Sequence, residues 1–323
     1  MLPSSVAEVG REYAGLVEEN VVEALGLLDQ ALRRGRRSPD AWRDAVQSIG
    51  DRLLSLQVLI ASMADAYLND VLDVQGADPD SEAEVVPAAF ADVADGGGSW
   101  LQSLVYAPNS VRAPGVDWRT KFDFIAKSIV KGGLNDTGRS SVQSGMQGRP
   151  ACRYYVRMLV GKSCARCAIL AGRKYKSATA FRRHKRCDCK HIPGTEAIDD
   201  WSVDANRYFD SLSAEEQDEV FGTAGAGAIR LGANPAQVVN AESGVYVAQS
   251  YGYDVLATTT GTTVRGTAGQ RLADEGLQRV PGDRYRSATT PRLLPDEIFL
   301  QAERLGWSRE EILRQLKRFA YVL

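Results

Sequence analysis

Histidine and cysteine are scarce in this chain, with two histidines and five cysteines among 323 residues, and none of the seven lies outside residues 152–191. An activated serine or cysteine nucleophile usually needs a neighbouring imidazole, so histidine-dependent catalysis elsewhere in the chain is excluded. Long apolar runs are missing too. The longest mostly apolar stretch, residues 53–72, is broken by Gln57, Asp65, Asn69 and Asp70, and it reads as a buried helix, not a membrane span. Residues 1–11 lack the basic stretch followed by an apolar stretch that marks export. A reducing compartment is therefore expected, where clustered thiols hold metal in preference to forming disulfides. Two nucleotide signatures fail as well. The segment Gly261-Thr-Thr-Val-Arg-Gly266-Thr267 lacks the lysine of a phosphate loop, and the glycines from Gly222 to Gly227 have the wrong spacing for a dinucleotide fingerprint.

What remains is one concentrated constellation. Cys152, Cys164, Cys167, His184, Cys187, Cys189 and His191 place a C-x2-C pair ahead of H-x2-C-x-C-x-H. Thiolate and imidazole are the donors that tetrahedral Zn2+ prefers, and two cysteines separated by two residues reach one ion from a tight turn. Four ligands close a structural site. The spacing favours Cys164, Cys167 and His184 with either Cys187 or Cys189, and sets aside Cys152 and His191. The competing reading is a pair of disulfides joining Cys164 or Cys167 to Cys187 or Cys189.

Charge is as unevenly spread as sulfur. The formal balance over the whole chain is −2. Residues 1–100 hold eighteen carboxylates against seven arginines and no lysine, a local balance of −11, while residues 151–193 hold twelve cations against the single acid Asp188, a balance of +11. Such a basic segment attracts phosphate or acidic protein surface. Arg173, Lys174, Arg182, Arg183, Lys185 and Arg186 are the candidate nucleic-acid contacts. The alternative is that several of these cations offset thiolate charge or are merely solvated. Glu82 and Glu84, in an acidic stretch, read as a solvated charge run.

Apolar spacing of three to five residues predicts an amphipathic helix over 4–32, closed by Gly35 and the run of arginines around it. Ser38-Pro39 opens a second helix reaching about residue 72, with an interruption near Gly50. Residues 73–98, acidic and rich in alanine, proline and glycine, read as a linker or exposed excursion with one short helix near 88–93. Residues 117–131 read as a short helix and 135–149 as a polar, glycine-rich loop. Residues 154–160 form a strand leading into the first cysteine pair. Ser213 to Glu216 and Ser308 to Glu311 each have the capping-box pattern, and residues 245–263 suggest two short strands. Four segments follow: a helical hairpin at 1–73, an acidic linker and docking helices at 74–150, a small α+β metal-stapled domain at 151–270, and a helical tail at 271–323. The expected fold is mainly α with that small α+β zinc-knuckle domain.

Taken together, Cys164-Ala-Arg-Cys167-Ala-Ile-Leu170-Ala-Gly172, then Phe181-Arg-Arg-His184-Lys-Arg-Cys187-Asp-Cys189 and Pro193, resembles the shared segment of the phage Mu F-like (MuF-like) head morphogenesis proteins. Residues 208–240 and 290–295 are similar to the region that follows the knuckle in such proteins from phages of actinobacteria. The resemblance spans roughly residues 150–300. The chain departs from the common pattern in carrying Lys185 and Arg186 where many members have proline and asparagine. The resemblance implies a MuF-like domain in a minor capsid protein, present in few copies in the virion or procapsid and assembled in the host cytoplasm. Its implied partners are the portal and the major capsid or scaffold proteins, with packaged DNA as a further candidate and no membrane. Two other readings stand beside it: a capsid maturation protease, and a zinc-knuckle DNA-binding protein or nuclease. With so little imidazole and no G-x-S-x-G motif, no catalytic residue is assigned, and binding is expected in place of catalysis.

Overall fold

The computed structural model describes residues 3–94, 96–111, 118–159, 163–179, 187, 189–195, 201, 204–279 and 286–322. It is mainly helical with small antiparallel sheets. The chain divides into two compact units, the first formed by Met1–Ser163 with Ala171–Ser202 and the second by Cys164–Leu170 with Val203–Leu323. Among the described residues no helix is long and apolar enough to cross a membrane.

The first unit is built on helix α1 (Ser4–Gly35), α2 (Pro39–Ser62) and α3 (Ala64–Asp73). Along α1 the apolar stripe Val6, Tyr13, Val17, Val21, Ala24, Leu28 and Leu32 is buried, as the period of 3.6 requires. Gly35 ends the helix hard against Trp42, where a Cβ would lie 2.7 Å from the indole ring. Ser38 then caps α2, its Oγ accepting from the Ala41 N–H at 3.1 Å. Gly50 does not interrupt α2. The break falls instead at Met63, between α2 and α3.

Residues 74–98 hold one 3-10 turn, Pro87–Phe90, and run along the helices by specific bonds. The Val85 N–H donates to Asp65 Oδ2 at 2.9 Å, and the Glu82 N–H donates to the Gly148 carbonyl at 2.7 Å. Gln57 is fully buried in α2; it donates to the Val93 carbonyl and to Thr137 Oγ1, both at 3.1 Å, and accepts from the Asp92 N–H at 2.9 Å. A buried amide satisfied on three sides is stabilising, whereas an unsatisfied one costs a few kcal/mol.

Helix α4 (Trp100–Val105) seats the buried Trp100 beside α5 (Trp118–Gln147). Residues 118–131 of the expected short helix and 135–147 of the expected loop belong to this one helix, which at 30 residues is ~45 Å long. Strands β1 (Tyr154–Met158), β2 (Lys174–Lys176) and β3 (Lys190–Gly194) form an antiparallel sheet in the order β2-β1-β3, with Arg157 opposite His191 and Tyr155 opposite Pro193. The strand expected before the first cysteine pair is β1. Both faces of this sheet contribute to the helical core, Val156, Met158 and Ile192 from one and Tyr155 from the other.

The second unit starts from α6 (Ala165–Leu170) and continues with α7 (Ala205–Asp210), α8 (Ala214–Phe221), α9 (Thr223–Arg230) and α10 (Pro235–Ala241). The capping box at Ser213 and Glu216 is present with both of its bonds. Strands β4 (Val245–Ser250) and β5 (Tyr253–Thr258) form a hairpin whose two turn residues, Tyr251 and Gly252, both have positive φ, the backbone a two-residue hairpin turn demands. Then come α11 (Thr267–Arg271), β6 (Leu277–Arg279), β7 (Arg286–Ala288), β8 (Arg292–Leu293), α12 (Pro295–Leu305) and α13 (Arg309–Arg318). The helix start expected at Ser308 is that of α13, capped by Ser308, while α12 opens on Pro295. Arg292 is fully buried at the centre of this unit. It donates to the carbonyls of Phe319 and Thr260 and to Gln237 Oε1, and its guanidinium stacks 4.4 Å from the Tyr321 ring centre.

Candidate metal centre

The thiols of Cys167, Cys187 and Cys189 converge, all three sulfurs lying within 4.8 Å of one another and all three residues buried. Two local structures present them. Cys164 and Cys167 stand at the start of α6, where the Cys167 N–H points at Cys164 Sγ at 3.4 Å; this is the turn a C-x2-C pair makes. Cys187 and Cys189 flank one residue just before β3, with their sulfurs 2.7 Å apart.

The backbone of that second pair is held from within the first unit. Arg139 on α5, only 4% exposed, donates through Nη1 to the carbonyls of Cys187 at 2.9 Å and Cys189 at 3.0 Å, and through Nη2 to Asp136 Oδ1 at 2.6 Å. The guanidinium is planar and pre-organised, so one side chain fixes two carbonyls at once. The next residues along β3 are anchored in turn. Lys190 Nζ donates to Asn135 Oδ1 at 2.5 Å, Tyr67 Oη donates to the His191 carbonyl at 2.6 Å, and Gln75 Nε2 donates to the Pro193 carbonyl at 2.9 Å.

No disulfide joins any of the five cysteines. Three buried sulfurs at this separation fit a thiophilic ion. Cys167, Cys187 and Cys189 would hold such an ion, which would cross-link the two halves of the motif through their thiolates. Both cysteines of the C-x-C pair join the cluster, where spacing alone left a choice between them. Cys164 is half-buried and outside the three-sulfur group. His184 lies outside the described residues, as do Arg182, Arg183, Lys185 and Arg186.

The two residues set aside on spacing are not among the three converging sulfurs. Cys152 packs in the helical core, and burial pushes its thiol up to about 11. His191 is 2% exposed with its ring edge-on to Tyr155 at 4.5 Å. Burial first, then the charges of Arg139, Arg157 and Lys190, push its imidazole down to about 3. Its imidazole is a buried core group.

The cations of the basic segment divide. Arg157 and Lys190 are buried at 3% and 2%, close in sequence or in register to the thiols, where positive charge favours thiolate. Arg173 and Lys174 are exposed, and the Lys174 ammonium sits 3.8 Å from the Tyr154 ring centre. Sequence reasoning missed Arg139, because a single arginine in a polar stretch read as loop carries no signal of its own. No family model, curated protein or solved structure matches this chain.

Proposed function

We propose that this chain is a phage minor capsid protein acting in head morphogenesis, in which Zn2+ held by Cys167, Cys187 and Cys189 is structural and the work is binding, not catalysis. The observation that carries the reading is the convergence of three buried thiols from the two halves of the motif that resembles the MuF-like segment. Cys164 and His184 are the candidates for the fourth ligand, completing the closed tetrahedron of a structural site. Bound there, the ion supplies cross-linking in place of a disulfide, and metal binding becomes part of the folding free energy.

A binding role is further supported by the burial of His191, one of only two imidazoles in the chain. The partners on this reading are the portal and the major capsid or scaffold proteins. Coexpression of the chain with those three proteins tests it. The expected result is particles that contain the full-length chain in small number, with its partners unprocessed. Particles that exclude the chain, or processing of a partner that disappears on one serine, cysteine or histidine substitution with folding and metal content unaltered, overturn the proposal.

A further inference from the structure

The C-terminal end of α1 carries a second concentration of positive charge, in the part of the chain that is otherwise acidic. Arg33, Arg34, Arg36 and Arg37 fall within five residues. Arg36 is committed to an ion pair with Asp123 on α5. The other three line a concavity of about 380 Å3 together with Gln30, and among the described residues no carboxylate lines it. Residues 30, 33, 34 and 37 have the spacing that brings side chains to one face of a helix, so the concavity is a continuation of that face past the helix end.

The acids nearby are already engaged. Asp29 pairs with Lys127 at 2.8 Å, Asp40 with Arg43 at 3.0 Å, and Asp123 with Arg36. Among the described residues no carboxylate pairs with Arg33, Arg34 or Arg37. The helix dipole favours cations in a last turn, which accounts for Arg33 and Arg34. It does not account for Arg37, which lies beyond the helix yet faces the same space. Gly35 lets this happen, because its missing side chain allows the chain to turn tightly over Trp42.

We infer that this concavity is a binding site for the phosphate groups of a nucleic-acid backbone. Guanidinium groups present forked donors that match phosphate oxygens two at a time. The rise from Arg33 to Arg37 is ~6 Å, a length over which about two phosphates of one DNA strand pass. Gln30 offers a neutral amide donor at the edge. Contacts of this kind position a duplex without reading its sequence.

The site is distant in sequence from the basic segment of residues 151–193, and the test keeps the two apart. Binding of a fluorescent 20-base-pair duplex to the full-length, metal-loaded protein is followed by anisotropy between 50 and 200 mM salt. Two variants are compared with the wild type: Arg33→Gln/Arg34→Gln/Arg37→Gln, and Arg182→Glu/Arg183→Glu/Lys185→Glu/Arg186→Glu. Since the three arginines are exposed, circular dichroism of the first variant should match the wild type. The expected result is at least a ~10-fold loss of affinity in the first variant at 50 mM salt. The slope of log affinity against log salt should be shallower by two to three, since each lost phosphate contact removes about 0.9. The loss should recur when the same substitutions are added to the second variant at low salt. Affinity and slope unchanged by the arginine substitutions overturn the inference, whatever the knuckle variant does. Loss of acidic-protein binding with DNA affinity intact overturns it also, and assigns the concavity to a protein partner.

Discussion

At the scale of single residues, Arg139 matters more to the candidate metal centre than any residue outside its ligands. It is the group that holds the carbonyls of both Cys187 and Cys189, so it determines where two of the three sulfurs sit. Truncating it leaves two carbonyls and the carboxylate of Asp136 without their buried cation, and a donor or acceptor stranded in that way costs ~1–3 kcal/mol. Arg139→Met keeps much of the volume and removes the charge. Wild-type protein is expected to contain about one equivalent of zinc by elemental analysis. The variant should lose its zinc to a chelator at least ~10-fold more readily, the range for partners that orient ligands, and should melt earlier. Equal zinc retention in the two proteins would show that Arg139 has no part in the site, and a wild type free of metal would refute the metal centre itself.

At the scale of elements, α5 shows both what the sequence concealed and why. Residues 135–149 read as a loop because they are rich in glycine and serine, residues that weaken an isolated helix. The helix is nevertheless formed, because its glycines are where neighbours come closest. A Cβ on Gly133 would lie 2.1 Å from Trp100 Nε1, one on Gly145 would lie 2.5 Å from Leu68, and Tyr13 Oη donates to the Gly138 carbonyl at 3.0 Å. Phe122, Ala126, Val130 and Leu134 mark an apolar stripe in the first half of the helix, but with Asn135, Thr137, Arg139 and Ser141 buried beside Val142 and Met146 the stripe is blurred in the second half, where periodicity had to reveal it. The exposed-faced helices α1, α12 and α13 were legible for the opposite reason, each having one wet side and clear end signals. In the candidate site the sulfur-bearing residues were legible by composition alone, whereas the buried anchors Arg139, Asn135 and Tyr67 come from distant sequence and carry no motif. Two adjacent glycines of α5 allow a test of this account. Gly132 has open space where a Cβ would go, so Gly132→Ala should raise stability by ~0.5–1 kcal/mol through helix propensity. Gly133→Ala gains the same propensity but must displace an indole whose N–H donates to the Ile129 carbonyl at 3.0 Å; overpacking of ~1–3 kcal/mol should exceed that gain. Thermal denaturation of the two variants should therefore shift in opposite directions, and shifts of the same sign would refute the packing argument.

At the scale of the whole molecule, the core of the second unit draws on a piece of chain that lies well before residue 203. The chain leaves the first unit after Ser163, contributes α6 to the second, and returns at Ala171. Ala165, Ala168 and Ile169 are buried in the same cluster as Phe209, Phe221, Val238 and Leu316. Arg166 adds polar anchorage, donating to Asn240 Oδ1 at 2.8 Å and to Ser243 Oγ at 3.0 Å. The second unit is therefore not contained in the stretch that begins at residue 203. A fragment spanning 203–323 lacks α6 and uncovers the part of α10 that packs on it, and burial of an isoleucine side chain alone is worth ~1.5–3 kcal/mol. Hydrogen exchange measures the loss where it occurs. Amides of α10 in the fragment should exchange at least ~10-fold faster than in the full chain, as the lost burial energy implies when exchange follows local opening. Amides of α13, whose residues Arg309–Arg318 lie at the other end of the fragment, serve as the internal reference and should change less. Equal protection of α10 in the fragment and the full chain would mean that residues 164–170 add nothing to this core, and the second unit would then begin at residue 203.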